Sequence, residues 1–194
     1  MIPRRLGVAV VVLLLATIAL GMYVWHLKRT AESTAAAAVE SQPITPPVTG
    51  PSANITLFVA SDDDGMLHRR MATITLPHDR SKQAREILHA LVAQYLQPAS
   101  EHKLGAGADV VDVYLVDGQL AVIDTNRAFA DAHRSGILAE ELTLASMAET
   151  LAANVPGIVR IKLLVEGQER ATLAGHIDLL EPYNVADAAA FVKE

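Results

Sequence analysis

The sequence contains no cysteine. This excludes disulfide staples, thiolate zinc sites, a cysteine nucleophile and lipid attachment at a cysteine after signal cleavage. Aromatic residues make up only 4% of the chain, too few to build a stacking platform for sugar rings, which argues against a glycoside-cleaving groove. Positive charge is also in deficit. The formal net charge is -6, which removes the basic footprint that nucleic acid needs and gives no reason for adhesion to anionic lipid. No Gly-x-Ser-x-Gly elbow occurs, and Gly105-Ala106-Gly107 lacks both the lysine of a phosphate loop and the third glycine of a dinucleotide loop. No small-molecule cofactor is expected.

What the chain does have is one long apolar run, Leu6 to Trp25, without a charged residue. At about 1.5 Å per residue such a helix just crosses a hydrocarbon core of about 30 Å. It is longer than a signal-peptide core, and Tyr23 and Trp25 suit a membrane interface. The expectation is therefore a single-pass signal-anchor over residues 6–27 behind a short head, 1–5. Arg4 and Arg5 precede the run and Lys28 and Arg29 follow it, so orientation rests on a narrow balance. It favours the N-terminus inside and the bulk of the chain on the non-cytoplasmic side of the inner membrane. Residues 28–53 are rich in Ala, Ser, Thr and Pro and read as a semi-rigid stalk.

Residues 54–181 carry the periodicities of a folded domain, with 182–194 as a tail. Asn54 to Ala60 alternates as a strand with Ile55, Leu57 and Val59 on one face. Ser61 to Gly65 turns into a second strand that ends before Pro77. Ser81 is placed to cap a helix whose buried stripe is Ala84, Ile87, Leu88, Leu91, Val92 and Tyr95. Asp109 to Val116 and Gln119 to Asp124 form a hairpin around Asp117-Gly118, with Val111, Val113 and Leu115 inward. A second helix, about 136–153, has a broad apolar side. Ile158 to Glu166 is a strand with Val159, Ile161, Leu163 and Val165 inward and Arg160 and Lys162 toward water. Arg170 to Ala174 offers a short last strand. The order β-β-α-β-β-α-β predicts an α+β two-layer sandwich of two helices on a mixed β-sheet, joined to one N-terminal transmembrane helix.

Candidate sites each have a plainer reading. Asp62, Asp63 and Asp64 before Gly65 resemble the start of a calcium loop, but position twelve from Asp62 is Thr73 rather than glutamate. A solvated turn is the simpler account. The seven histidines form no His-x-x-x-His pair, so no metal site is expected. Asp124, at a strand end, reads as an acceptor for the following backbone. An enzymatic alternative, binding or hydrolysing envelope polymers, needs a polar cleft that gathers Asp124 and His176. No catalytic residue is assigned. The positive case is for a surface: Arg160 and Lys162 as a basic spot, set against acidic Glu140 and Glu141 of a neighbour.

Taken together, the blocks ITLFVASDDDGML with Arg69-Arg70, the helix with Ile87, Leu88 and Leu91, VVDVYLVDGQLAVIDTNRAF, ELTLASMAETLAANVPGIVRIKLLVEGQ and GHID resemble the GerMN domain of bacterial sporulation and spore germination proteins. The resemblance runs from about Ile55 to Asp178. Gln97-Pro98 stands where the family often has Gly-Pro, and Asp124 is followed by Thr125-Asn126 where it often has Leu-Ser. The resemblance implies a membrane-tethered or lipoprotein module outside the cytoplasm, similar to ring-building domains of sporulation channels, with no catalytic residues to transfer. The function expected is a non-catalytic interaction or assembly module of the cell envelope. Its partner is another envelope protein or a second copy, with the membrane as its support.

Overall fold

The computed structural model describes Met22 and residues 50–193. The chain separates into two units between Pro47 and Val48, and the second carries the fold described here. Two ten-residue strands open it, β1 (Ser52–Ser61) and β2 (Met66–Thr75). They are antiparallel, in register from Ser52↔Thr75 to Ser61↔Met66. The turn closes with Gly65 at φ 70°, its N–H donating to Ser61 O at 3.0 Å. A β-carbon is strained at that φ.

Helix α1 (Arg80–Tyr95) follows. Its cap is Asp79, whose carboxylate accepts from Lys82 N at 2.9 Å, not Ser81. The predicted stripe is buried in full, from Ala84 and Ile87 to Tyr95. Strands β3 (Val110–Val116) and β4 (Leu120–Thr125) pair through the Asp117-Gly118 turn, with φ of 51° and 69°. Val113 and Leu115 point inward as expected, but Val111 is 51% exposed. The register shifts between Val110 and Asp112, and the extra residue of that bulge turns Val111 out.

A short helix α2 (Arg127–Asp131) and the long α3 (Ile137–Asn154) carry the chain to β5 (Arg160–Val165), which runs parallel to β4. Arg170 to Ala174 forms no strand. The fourth strand of the sheet is β6 (Tyr183–Asn184), followed by helix α4 (Val185–Ala188) and a 3₁₀ turn, Ala189–Phe191.

The α+β class holds, but the expected single mixed sheet over two helices does not. Among the described residues there are two sheets, β1-β2 and β3-β4-β5-β6, with four α-helices. The reason lies on the outer rim of β1. Where another strand would pair, α3 presents side chains one turn apart. Thr56 N and O bond to Asn154 at 2.9 and 2.7 Å; Phe58 N donates to Thr150 Oγ1 at 3.0 Å; Ser146 Oγ donates to Phe58 O at 2.5 Å. From α1, Tyr95 OH accepts from Ala60 N at 2.9 Å and bonds to Ser146 Oγ. Helix α3 stands in for a third strand, so Phe58 and Ala60 are buried along with Ile55, Leu57 and Val59. Burial pushes the Tyr95 phenol up to about 12.

The expected transmembrane helix also drops out of the fold class. Among the described residues no helix is long and apolar enough to cross a membrane. The segment predicted to span, 6–27, lies outside them apart from Met22, as does most of the predicted stalk.

Tyr95→Phe tests the closed rim. It strands the Ala60 N–H and leaves the Ser146 hydroxyl only its bond to Phe58 O, without emptying the core. Chemical denaturation is expected to show a loss of about 1–3 kcal/mol.

Candidate functional site

The four residues expected at a contact surface, Arg160 and Lys162 against Glu140 and Glu141 of a neighbour, differ in exposure. Arg160 is exposed, but Lys162 is 9% exposed. Its ammonium donates to Leu180 O and pairs with Glu169 at 3.0 Å. The 169–180 segment crosses the strand face that alternation alone assigns to water. Glu141 is half-buried and accepts from Tyr183 OH at 3.0 Å.

Glu140 is fully buried. Its Oε2 accepts from the N–H groups of Ala174, His176 and Ile177 at 3.0, 3.1 and 3.0 Å. Its Oε1 accepts from Gly136 N at 3.2 Å and from His176 Nδ1 at 2.9 Å. Burial pushes this carboxyl up, but the N–H bonds from Ile177 and Ala174 and the His176 ring outweigh it and hold the pKa at about 2. The same bonds curl residues 174–177 around the carboxylate, which explains the missing strand at Arg170 to Ala174.

Asp124 does what a strand-end acceptor does: its Oδ1 takes the Gly167 N–H at 2.7 Å. His176 sits on Glu140. Asp124 and His176 line none of the three cavities described here. A Ser-x-x-Lys spacing does occur at Ser100 to Lys103, but Ser100 Oγ donates to the His102 carbonyl at 2.6 Å within a loop.

The aspartate turn divides its labour. Asp64 caps Met66 N and pairs with His68 and Lys193, both at 3.0 Å. Its bonds to Lys193 and His68 hold its carboxyl at about 2. Asp62 turns inward to a polar seam that the sequence reading missed. Asp62 Oδ1 meets His102 Nδ1 at 2.7 Å, and Oδ2 accepts from Arg134 NH1 at 2.8 Å. His102 Nε2 reaches Thr143 Oγ1 at 2.7 Å, and His133 Nε2 reaches the same oxygen at 2.7 Å. His133 Nδ1 donates to Arg134 O at 2.8 Å.

The protons follow from the acceptor-only ends. A carbonyl faces His133 Nδ1, so in the neutral ring Nε2 accepts the Thr143 proton. The Thr143 oxygen also lies within hydrogen-bond reach of His102 Nε2, and its hydroxyl within reach of the Ala139 carbonyl at 3.1 Å. Thr143 is fully buried, so no substrate reaches its hydroxyl. The seam ties α3 to three loops. Cavities of about 320 and 260 Å³, lined in part by Asp62 and Arg134, flank its outer end. Among the described residues no group of three or more metal-ligating side chains is assembled. No spacing rule joins residues 62, 102, 133 and 143, because loops bring three of them together.

Burial pushes His133 below its ordinary 6.5. The unfolded chain therefore binds more protons than the folded one as pH falls below 6.5, and stability falls with it. Melting temperature is expected to decline below pH 6.5 in the native chain, and His133→Gln is expected to flatten that part of the profile.

A larger cavity of about 570 Å³ lies between the hairpin end and the C-terminal end of α1. Val59, Ser61, His68, Arg69, Arg70 and Glu101 are among its lining. The Arg69 guanidinium rests over the Phe58 ring at 5.4 Å.

The model of the Germane family, described as sporulation and spore germination, matches residues 56–171. The chain belongs to the Germane family. Among solved structures it is similar to the tandem GerMN domains of the sporulation protein GerM from Bacillus subtilis, at 20% identity and TM-score 0.50. That match covers 68% of this chain and 45% of the other. The first GerMN domain of the same protein matches at 16% identity and TM-score 0.46, covering 66% of this chain and 94% of that one. A chain described as a lipoprotein from Clostridium perfringens matches at 18% identity and TM-score 0.47, covering 70% and 89%. At these identities the likeness is one of fold. No curated protein matches the sequence at a significant level. In this Germane domain the expected family and the observed family agree.

Proposed function

We propose that this Germane domain is a non-catalytic protein-interaction module of the bacterial cell envelope, acting in a sporulation or germination process through another envelope protein. One observation carries the reading. The groups with chemical potential are used up inside the fold: Glu140 holds a loop, Thr143 is sealed in the seam, and Asp124 caps Gly167. The β1–β2 sheet, by contrast, keeps the outer rim of β2 for contact. The family description supports the process, and the coupling of buried polar groups to loops supports a rigid contact surface rather than a reaction centre.

The test is cross-linking of the chain in intact cells, followed by mass spectrometry of the linked species. A defined second chain linked to residues of this domain is the expected result. Recovery of the uncross-linked chain alone, under conditions that trap known neighbours, overturns the reading. Fractionation of the same cells checks envelope residence, and a chain found wholly outside the envelope fraction overturns that part.

A further inference from the structure

A strand at the rim of a sheet presents a row of N–H and C=O groups that invites pairing, and folded proteins usually blunt it. The two rims of the β1–β2 sheet are treated differently. The β1 rim is closed by Asn154, Thr150, Ser146 and Tyr95. On β2, Lys193 N donates to Leu67 O at 3.1 Å, and Val192 bridges Leu67 in the parallel sense. The backbone groups of Leu67 thus face away from β1. By alternation those of Arg69, Met71 and Thr73 face away as well. Among the described residues these three have no backbone partner on that side. β2 carries no proline and its ladder has no bulge. Met71 is 68% exposed.

Beside this rim lies the cavity of about 570 Å³, to which His68, Arg69 and Arg70 contribute from one side and Gln94, Gln97 and Glu101 from the other. Glu101 is the one carboxylate in its lining. The arginine ion pairs of the described residues belong to Arg85, Arg127, Arg134 and Arg170. Among the described residues neither Arg69 nor Arg70 has a carboxylate within ion-pair distance, the nearest attraction on Arg69 coming from Glu149 of α3, in a chain whose net charge is -6. Two guanidinium groups outside any close ion pair, beside backbone without a partner, are a local reversal of the chain's overall sign.

We propose that the outer rim of β2 binds an extended acidic segment of a partner protein. The segment lies parallel to β2, in line with Val192, with carboxylates on its two faces against Arg69 and Arg70, which project to opposite faces of the sheet, and side chains entering the cavity. Main-chain bonds to Arg69, Met71 and Thr73 supply binding, and the arginines select the charge. The seated 192–193 segment already meets this rim at one parallel bridge. This proposal rests on the interaction-module reading and names the chemistry of the partner.

The experiment uses the full chain, a blocked peptide of Val-Glu-Glu repeats, which carries carboxylates on both faces of an extended strand, and its lysine counterpart. Backbone amide exchange is read by NMR. The glutamate peptide is expected to slow exchange at Arg69, Met71 and Thr73 by about fivefold or more. Ala72, which already faces β1, stays unchanged, and the lysine peptide protects nothing. Arg69→Glu with Arg70→Glu is expected to weaken binding about tenfold. Met71→Pro removes an outward N–H without breaking the β1 ladder and is expected to abolish binding. Should that variant fail to fold, the alternating protection in the unaltered chain still decides. Three outcomes overturn the proposal: no protection by the glutamate peptide, equal protection by both peptides, or protection that rises with protein concentration alone because a second copy fills the rim. A partner cross-linked in cells while the rim stays unprotected by the glutamate peptide defeats the rim proposal and leaves the interaction reading standing.

Discussion

Glu140→Ala is expected to cost about 3–5 kcal/mol of folding stability, one of the two largest effects of any single change described here. The substitution takes the acceptor away from the N–H groups of Ala174, His176 and Ile177 at once, in a place with no access to water. For a domain of this size that loss lowers the melting temperature by roughly 6–20 °C. Glu140→Gln keeps the volume but turns an amide NH₂ toward donors, so it is expected to be destabilising as well. Acid does the same thing without mutation. The folded carboxyl has its pKa at about 2 against 4.5 for a free glutamate. Protonation therefore favours the unfolded chain, and the contribution is complete above pH 4.5 and drains away toward pH 2. The shift corresponds to about 3 kcal/mol. A melting profile that is flat from pH 5 to pH 2.5 contradicts this account.

Thr143→Val is expected to cost about 2–4 kcal/mol. Valine matches the shape of threonine but has no hydroxyl to bond to His102, His133 and the Ala139 carbonyl, and both rings lie beneath the surface. Thr143→Ser retains the hydroxyl and loses one methyl, so its expected cost is about 1 kcal/mol. Denaturant unfolding of the pair separates the two causes. Equal losses in both variants point to packing, and a loss confined to valine points to the seam.

Periodicity carried the reading a long way where burial is one-sided. The α1 stripe from Ala84 to Tyr95 and the Asp117-Gly118 hairpin follow from spacing and turn chemistry alone. It failed where a residue's surroundings come from distant chain. Lys162 alternates as an outward residue, yet the 169–180 segment covers it. Val111 alternates inward, yet a bulge turns it out. Glu140 has the look of a solvated first-turn acid, and its five partners lie at Gly136 and across residues 174–177. The seam was hidden for the same reason: the neighbours of His102, namely Asp62 and Thr143, stand 40 and 41 positions away in the sequence. Even the polar residues of α3 were legible only as interruptions of an apolar side, since their task is set by a strand 88 to 98 residues earlier.

That last separation has a kinetic side. During synthesis the β1–β2 hairpin emerges long before the helix that shields it, and for that interval both of its margins are bare. Long-range closure of this kind is slow and leaves a sticky species waiting. Mutations that delay α3 docking, such as Asn154→Ala, should therefore reduce soluble yield out of proportion to their effect on the finished fold. The amides of Thr56 and Phe58 serve as clocks for that event, becoming protected only when the helix arrives.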